Sequence, residues 1–458
     1  MATMALTLPP VLERDPESRS LAQPNEATEG LQVTASKLRR WGVQSALAIL
    51  DQGLTAAAGF GVNLVLARWL TSESYGAFAV AFAGYLFVSG FHNVLLLEPL
   101  SVLGPARHAN SLPRYFKAQI KVHVILVGVL AFVVLLAGIV TQRLAPGNPL
   151  IAALIASALA VPLMLLLWLV RRICYVLKRP SVAVLGSVTY LVLVSAFLGL
   201  AWVLGKVTPF LAFLLMGFAS LGSSALLLWR LNLRSKGSAR LYRWRVVLKE
   251  NWTYGRWLVG SAFLYAATSQ LQMVLAAVLL GLGAAGVLRA MQIPSLVMTQ
   301  VITATGLLVL PVFSYDFGRG QIQRLRKRAV IVSAVLVVAT IAFVLVLASF
   351  AGPLERILFA GKYSTYAWLM PILALVPVLN GFATGYSVAL RASQKPQCDL
   401  IANLVAAPVG LISAVLLMRF WGLAGAATSM VLGFLALSAT TFVCFRWHRH
   451  HAMVVEAA

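Results

Sequence analysis

Twelve apolar segments are each long enough to cross a lipid bilayer as an α-helix, and they constrain the fold more than any other feature of the sequence. A spanning helix needs about 20 mainly apolar residues to cross about 30 Å of hydrocarbon. The segments lack the polar and apolar alternation of a membrane β-barrel, so helices must satisfy the backbone hydrogen bonds. The predicted spans are Ala46–Leu70, Tyr75–Leu97, Ile120–Val140, Leu150–Val170, Val182–Leu204, Phe210–Leu228, Trp257–Leu280, Ala284–Leu310, Val330–Phe350, Tyr366–Leu390, Leu400–Met418 and Leu423–Phe445.

The composition excludes a soluble protein. Sixty per cent of the 458 residues are hydrophobic and only 11% are charged, which lies outside the range of soluble globular domains. A net charge of +24 could also indicate nucleic-acid binding. The basic residues are spread among short loops without a binding module, so we expect membrane lipid and not nucleic acid as the partner.

A basic connector divides the chain into two halves of six spans each. Eight Lys and Arg residues lie between Arg230 and Arg256. Six spans per half make the halves parallel repeats, an arrangement typical of transporters. We therefore predict an all-α polytopic membrane protein with a disordered cytoplasmic tail at 1–40, a six-helix bundle at 41–231, the connector at 232–250, a second six-helix bundle at 251–447 and a cytoplasmic tail at 448–458.

The distribution of positive charge predicts the orientation. With a cytoplasmic N-terminus, the inner segments hold 30 of the 37 Lys and Arg residues and the outer ends hold 7. The positive-inside rule then places both termini in the cytoplasm. The three cysteines, Cys174, Cys398 and Cys444, fall near cytoplasmic helix ends without metal-type spacing, so neither a disulfide nor a metal site is expected.

Two segments carry a resemblance to a known family. Leu66 to Phe78, LARWLTSESYGAF, resembles the opening hairpin of polysaccharide flippases of the multidrug/oligosaccharidyl-lipid/polysaccharide exporter (MOP) superfamily. Glu98 to Arg107, EPLSVLGPAR, resembles the loop after the second span in exopolysaccharide exporters. The first segment makes physical sense, because an interfacial Arg-Trp pair ends one span and a glycine lets the next begin close to it.

The resemblance implies a fold and a function. The fold would be a MATE-like inverted V of two six-helix bundles around a central cavity, working by alternating access. The cargo would be a lipid-linked oligosaccharide or a polysaccharide, and the membrane would be the bacterial cytoplasmic membrane. Proteins of polysaccharide synthesis and polymerisation would be partners.

Asp51 is the candidate for coupling transport to an ion. It is the only acid well inside a predicted span, about 16 Å along the helix from Arg40. An ionisable group at this depth costs about 2.5–3.5 kcal/mol on insertion scales, so it should face a cavity or a partner. A structural, hydrogen-bonded aspartate is the alternative.

Cationic and amide side chains are candidates for the substrate path. Arg68 and Arg289 lie toward the outer leaflet and could bind phosphate, because a guanidinium binds phosphate oxygens as a fork. Snorkelling to lipid headgroups is the alternative for both. Arg107, Arg114, Lys117, Arg171 and Arg172 could collect an anionic cargo at the inner surface. Uncharged residues that could line a sugar-accommodating cavity, or join helices instead, include Asn63, Gln270, Gln272 and Asn380.

Prolines mark candidate hinges. Pro162 on the fourth span and Pro371 and Pro377 on the tenth occupy corresponding spans of the two halves, and Pro294 lies in the eighth. Interrupted helices in matching positions indicate moving or binding parts of transporters.

Two other functions compete with a flippase. A multidrug/cation antiporter of the same superfamily should have more than one buried acid in its cavity. A membrane polysaccharide polymerase or glycosyltransferase should have a large loop or a catalytic domain. The sequence holds no nucleotide-binding loop, metal box or nucleophile motif, so we expect a protein that is not an enzyme and uses neither a cofactor nor a metal.

Overall fold

Helices make up all the regular structure of the described residues. The computed structural model describes residues 24–233, 243–395 and 397–456. The first half contains α1 (Pro24–Trp69), α2 (Ser72–His92), a π-helix (Asn93–Leu97), α3 (Glu98–Arg107), a 3₁₀ turn (Ala109–Ser111), α4 (Leu112–Leu144), α5 (Pro149–Val176), α6 (Pro180–Val203) and α7 (Pro209–Leu231). The second half contains α8 (Trp244–Leu280), α9 (Leu282–Gly318), α10 (Ile322–Phe359), a 3₁₀ turn (Ser364–Tyr366), α11 (Leu369–Leu373), α12 (Leu375–Ala392) and α13 (Gln397–Glu456).

The predicted number of twelve spans is confirmed. Among the described residues, eleven helical segments are long and apolar enough to cross a membrane, and the last is Gln397–Trp447 with 51 residues. A helix of that length would extend about 77 Å, more than twice the hydrocarbon thickness. Its backbone leaves the helical conformation at Gly422, where φ is 56°. The two predicted spans of this region lie on either side of that break.

Several helices extend beyond the predicted ends. Helix α1 begins at Pro24, so the predicted disordered tail is helical over 24–40, and its first 23 residues lie outside the described part. Helix α8 begins at Trp244, inside the predicted connector, and α13 continues to Glu456, into the predicted C-terminal tail. Residues 234–242 of the connector and 457–458 are not described.

Local signals explain where three spans begin. Thr71, Asn148 and Thr208 each precede a helix, and each side chain accepts a hydrogen bond from a backbone N–H of the first turn, at 3.2, 2.9 and 3.1 Å. Prolines follow the latter two caps directly, at Pro149 and Pro209. Such caps satisfy N–H groups that the helix itself leaves free, and proline at the first position loses no hydrogen bond.

The two halves form lobes that meet tightly at one end. We call the end where α7 ends and α8 begins the connector end, and the opposite end the far end. At the far end α2 and α9 approach so closely that a Cβ on Gly76 would lie 1.8 Å from the Leu282 carbonyl oxygen. A Cβ on Gly286 would lie 2.1 Å from the Ser72 carbonyl oxygen. Backbone therefore packs on backbone between the lobes.

A loop of the second lobe also holds the far end closed. Lys362 Nζ, just after α10, donates to the Ala67 carbonyl at 3.0 Å and to the Leu70 carbonyl at the end of α1. The Tyr363 hydroxyl donates to the same Ala67 carbonyl at 3.2 Å. A lysine at a helix C-terminus satisfies carbonyls that lack helical partners and favours the negative end of the helix dipole.

At the connector end the first turns of α8 pack against the first lobe. Gln119 of α4 and Asn251 of α8, both buried, exchange two amide hydrogen bonds of 3.1 and 2.9 Å. His108 Nε2 lies 3.0 Å from a Glu250 carboxylate oxygen. The start of α8 is thus fixed to the first lobe, although the rest of the helix belongs to the second.

Candidate functional site

Two adjoining cavities lie between the helices. The C-lobe cavity, of about 770 Å³, lies between α2, α8, α9, α12 and α13. The N-lobe cavity, of about 570 Å³, lies between α1, α2, α5, α6, α7 and α9. Leu86 and Trp168 line both. Each volume is within the usual range for small-molecule sites.

Asp51 lies behind the wall of the N-lobe cavity in a complete hydrogen-bond shell. Its carboxylate accepts from Arg171 Nη2 at 2.6 Å, the Tyr175 hydroxyl at 2.5 Å and the Ser187 hydroxyl at 2.5 Å. Asp51 is 1% exposed, and a buried carboxylate requires such partners. Its arginine partner comes from α5, so the side chain expected to collect cargo at the inner surface is held in an ion pair.

Two further acids lie on the helices of the second and eighth spans, just beyond the predicted span ends. Asp316 of α9 is 1% exposed and accepts from Arg328 Nη1 at 2.6 Å. Glu98 lies within the candidate span Ser72–Arg107. Both helices continue past the predicted span ends, because α9 extends to Gly318 and the second helical segment to Arg107. The segment Glu98–Arg107, expected to be a loop, is helix α3.

Arg289 faces the N-lobe cavity without an acidic partner. Its Nε donates to Asn63 Oδ1 at 3.3 Å, and its guanidinium carbon lies 5.5 Å from the centre of the Phe82 ring. Tyr75 donates to the same Asn63 oxygen at 3.4 Å. Among the described residues, no carboxylate oxygen lies within ion-pair distance of Arg289. The positive charge of this side chain is therefore available to a ligand in the cavity.

The other predicted substrate-path residues are divided between the two cavities and the exposed surface. Asn63 lines the N-lobe cavity together with Arg289, and Gln270 and Asn380 line the C-lobe cavity. Arg68 is exposed and is not among the lining residues of either cavity, so it does not share a site with Arg289.

Gln272 does not lie on either cavity. It is 1% exposed, and its amide nitrogen lies beside Gly410 and Gly433 of α13. Within the described structure neither of its amide atoms has a hydrogen-bond partner. Gln270 and Gln272 are two residues apart on α8 and therefore point in different directions, as helical geometry requires.

The C-lobe cavity carries charge of the opposite sign. Its charged lining residues are Glu98, Arg391 and Asp399, and the last two form a pair at 3.4 Å. The Ser387 hydroxyl donates to Asp399 at 2.9 Å. The rest of the wall is rich in hydroxyl and amide groups, and includes Ser89, Asn93, Ser261, Ser269, Gln270, Thr303, Asn380, Thr384, Asn403 and Thr441.

The predicted hinge prolines differ in their effect on the helices. Pro162 lies inside α5 and Pro294 inside α9, and both helices continue past them. The tenth span is divided into α11, which contains Pro371, and α12, which contains Pro377.

A histidine pair accompanies the proline of α5. His123 Nε2 donates to the Pro162 carbonyl at 3.1 Å, and His123 Nδ1 lies 3.0 Å from His92 Nε2 of α2. These contacts connect α2, α4 and α5 near the middle of the first lobe.

The sequence did not predict the break in the second span. Residues Asn93–Leu97 form one turn of π-helix between α2 and α3. Such turns are rare and frequently lie at functional sites. Asn93 and Val94 of this turn, and Glu98 directly after it, line the C-lobe cavity.

Comparison with known proteins identifies the fold. No protein-family profile and no curated protein matches the sequence. A solved structure described as the inward-facing conformation of a multidrug resistance MATE family transporter of the MOP superfamily matches with a TM-score of 0.76, at 14% identity, over 90% of this chain and 100% of that chain. The chain has the fold of the MOP-superfamily transporters. The predicted fold class, twelve helices in two MATE-like bundles, is therefore confirmed.

Other structures of this fold match at similarly low identity. The lipid II flippase MurJ in an inward closed conformation gives a TM-score of 0.67 at 12% identity, over 88% of this chain and 87% of that chain. A MOP-superfamily transporter from Pyrococcus furiosus gives 0.64 at 14% identity, over 89% and 94%. An outward-facing MATE transporter gives 0.65.

Proposed function

We propose that this protein is a transporter that moves a lipid-linked oligosaccharide, or a polysaccharide, across the bacterial cytoplasmic membrane by alternating access. The observation that carries the proposal is Arg289, an arginine with no acidic partner among the described residues, in the wall of a membrane-embedded cavity. A charge in that position is costly unless a ligand compensates it. Guanidinium binds phosphate oxygens in a bidentate manner, and a phosphate-linked glycolipid supplies such oxygens.

The neighbouring cavity suits the sugar. Its hydroxyl and amide side chains can exchange hydrogen bonds with carbohydrate hydroxyl groups. The aromatic ring of Trp168, which lines both cavities, offers an apolar face between the anionic and neutral parts of such a cargo. The two cavities together therefore match a molecule with a phosphate at one end and sugar at the other.

The direction of opening supports loading from the cytoplasm. The positive-inside rule places the connector end in the cytoplasm, and the lobes are joined by Lys362 and Tyr363 at the far end. The C-lobe cavity extends from Gln270, midway along the span Leu258–Leu280 of α8, to Arg391 and Asp399 at the connector end. In this orientation the closed gate is the outer one, and both termini are cytoplasmic.

The test is export by Arg289 variants. Surface or secreted polysaccharide is measured in a deletion strain complemented with each variant at matched membrane abundance. Arg289→Ala should abolish most export, and Arg289→Lys should restore it only in part, because an ammonium binds phosphate as a point charge. Arg68→Ala is the matched control, since Arg68 is exposed and lies on neither cavity. Export by Arg289→Ala at the parental level would refute the cargo site.

A cation antiporter is the second candidate, and one observation favours it. Glu98 and Asp399 place two carboxylates on the C-lobe cavity, whereas the sequence had indicated only one buried acid. Uptake of a lipophilic cation such as ethidium into everted vesicles distinguishes the two functions. Uptake that is lost in Asp399→Asn and retained in Arg289→Ala would establish the antiporter and exclude the glycolipid transporter.

A further inference from the structure

Glu98 is held at the end of the π-helix by two bonds to the same residue. Its backbone N–H donates to the Asn93 carbonyl, the i to i+5 bond that defines the π turn. In return, Asn93 Nδ2 donates to Glu98 Oε1 at 3.2 Å. The carboxylate therefore braces the one π turn of the second span, and both residues line the C-lobe cavity.

The surroundings of Glu98 differ from those of Asp51. Asp51 is 1% exposed and saturated by an arginine and two hydroxyl donors. Glu98 is half-buried, has a single amide donor, and no Lys, Arg or His nitrogen of the described residues lies within 4.0 Å of it. Glu98 also lines the C-lobe cavity, where its carboxylate can exchange a proton with water.

Two charged or titratable groups of the neighbouring helices act on Glu98. Arg172 of α5 attracts its carboxylate from beyond 4.0 Å, and Tyr254 of α8 also interacts with it electrostatically. Across the cavity, Arg391 is already paired with Asp399.

We propose that Glu98 is the carboxylate that couples a proton to the transport cycle; the inference rests on the transport function proposed above. A proton fits this site better than a metal cation does. Sodium and other hard cations need several oxygen ligands. The polar neighbour that Glu98 contacts, the Asn93 side chain, presents its NH₂ group.

Protonation would act on the helix itself. A proton from cavity water binds a carboxylate oxygen and neutralises the charge, so the Asn93 bond changes from a charge-assisted bond to a neutral one of roughly half the strength. The π turn then loses part of its brace. Val94 of this turn is in tight contact with α8, because a Cβ on Gly255 would lie 2.6 Å from the Val94 carbonyl oxygen. Helix α8 joins the two lobes, so a change in the π turn is transmitted to their relative position.

The experiment measures conformation without cargo. Spin labels at Glu73 and Arg356, exposed positions at the far end of opposite lobes, report the distance between the lobes. The labelled protein is purified, with its three native cysteines replaced, and the distance distribution is recorded between about pH 5 and pH 8, around the range in which perturbed carboxyl groups titrate. The parent should shift between two distances as the pH changes.

Substitutions of the carboxylates test whether Glu98 is the residue that takes up the proton. Glu98→Gln should hold one distance distribution at every pH, and Glu98→Asp should keep the pH-dependent shift. Asp51→Asn is the control, since it removes a carboxylate that lies on neither cavity, and it should shift as the parent does. A parental response in Glu98→Gln, or loss of the response in Asp51→Asn alone, would overturn the proposal. If Glu98→Gln fails to fold, a Glu98→Asp protein without a pH response overturns it equally. Because no cargo is present, these results are independent of whether Arg289 binds a glycolipid.

Discussion

The contact between Gly76 and α9 gives the sharpest prediction about the movement of the lobes. A methyl group at Gly76 would lie 1.8 Å from the Leu282 carbonyl oxygen, whereas real Cβ contacts essentially never fall under 3.0 Å. The obstacle is backbone and not a flexible side chain. Gly76→Ala therefore requires α2 and α9 to separate by about 1 Å, which should open the far end.

The expected shift in the equilibrium between the closed and open far end follows from the cost of overpacking. Inserting a methyl group into a tightly packed contact typically costs about 1–3 kcal/mol. This strain is present only while the far end is closed, so it shifts the equilibrium between closed and open by about 5- to 150-fold toward the open state. A substitution at Gly286, which faces the Ser72 carbonyl at 2.1 Å, should act in the same direction.

Distance measurement tests this prediction with a built-in control. Spin labels at Glu73 and Arg356 should report a larger population at the longer distance in Gly76→Ala than in the parent. Gly84→Ala lies on the same helix, and its added methyl group would meet nothing within 4 Å, so it should behave as the parent. Equal distributions in Gly76→Ala and Gly84→Ala would refute the reasoning.

Asp51→Asn should lower the free energy of unfolding by up to about 3 kcal/mol, because it leaves the mostly buried Arg171 without its carboxylate partner. Thermal unfolding of the purified variant measures this, and a parental unfolding temperature would contradict it. The same variant should retain the pH response of the parent where it folds, since its carboxylate is not the proposed proton acceptor. Reporter fusions at Lys236 and at the C-terminus should read cytoplasmic and a fusion at Asn148 external, as the charge distribution predicts; an external signal at Lys236 would end the twelve-span topology.

The fold was predictable because span number depends on apolar length, which is a local property of the sequence. Helix ends were less predictable, since helices continue into water wherever propensity and capping allow. Helix α1 begins at Pro24, before the first apolar residue of its span, and α9 continues to Gly318. Glu98 and Asp316 lie on such continuations, just beyond the predicted span ends.

The site was predictable only in part, because its contacts join residues far apart in sequence. The positions of Asp51 and Arg289 inside spans identified them as unusual, yet the partner of Asp51 is 120 residues away in α5. Neither spacing nor hydropathy reveals such a pairing. The π turn after His92 lies where the second span contacts α5 and α8, and the sequence Asn93–Leu97 shows no sign of it.

The most direct test of the account is transport by the purified protein in liposomes. A polyprenyl-pyrophosphate-linked oligosaccharide is placed in the membrane, and an impermeant glycosidase added outside measures the fraction of sugar that crosses from the inner leaflet. Crossing should depend on the protein, be lost in Arg289→Ala and be retained in Arg68→Ala. The absence of protein-dependent crossing, or crossing by Arg289→Ala at the rate of the parent, would contradict the proposed function.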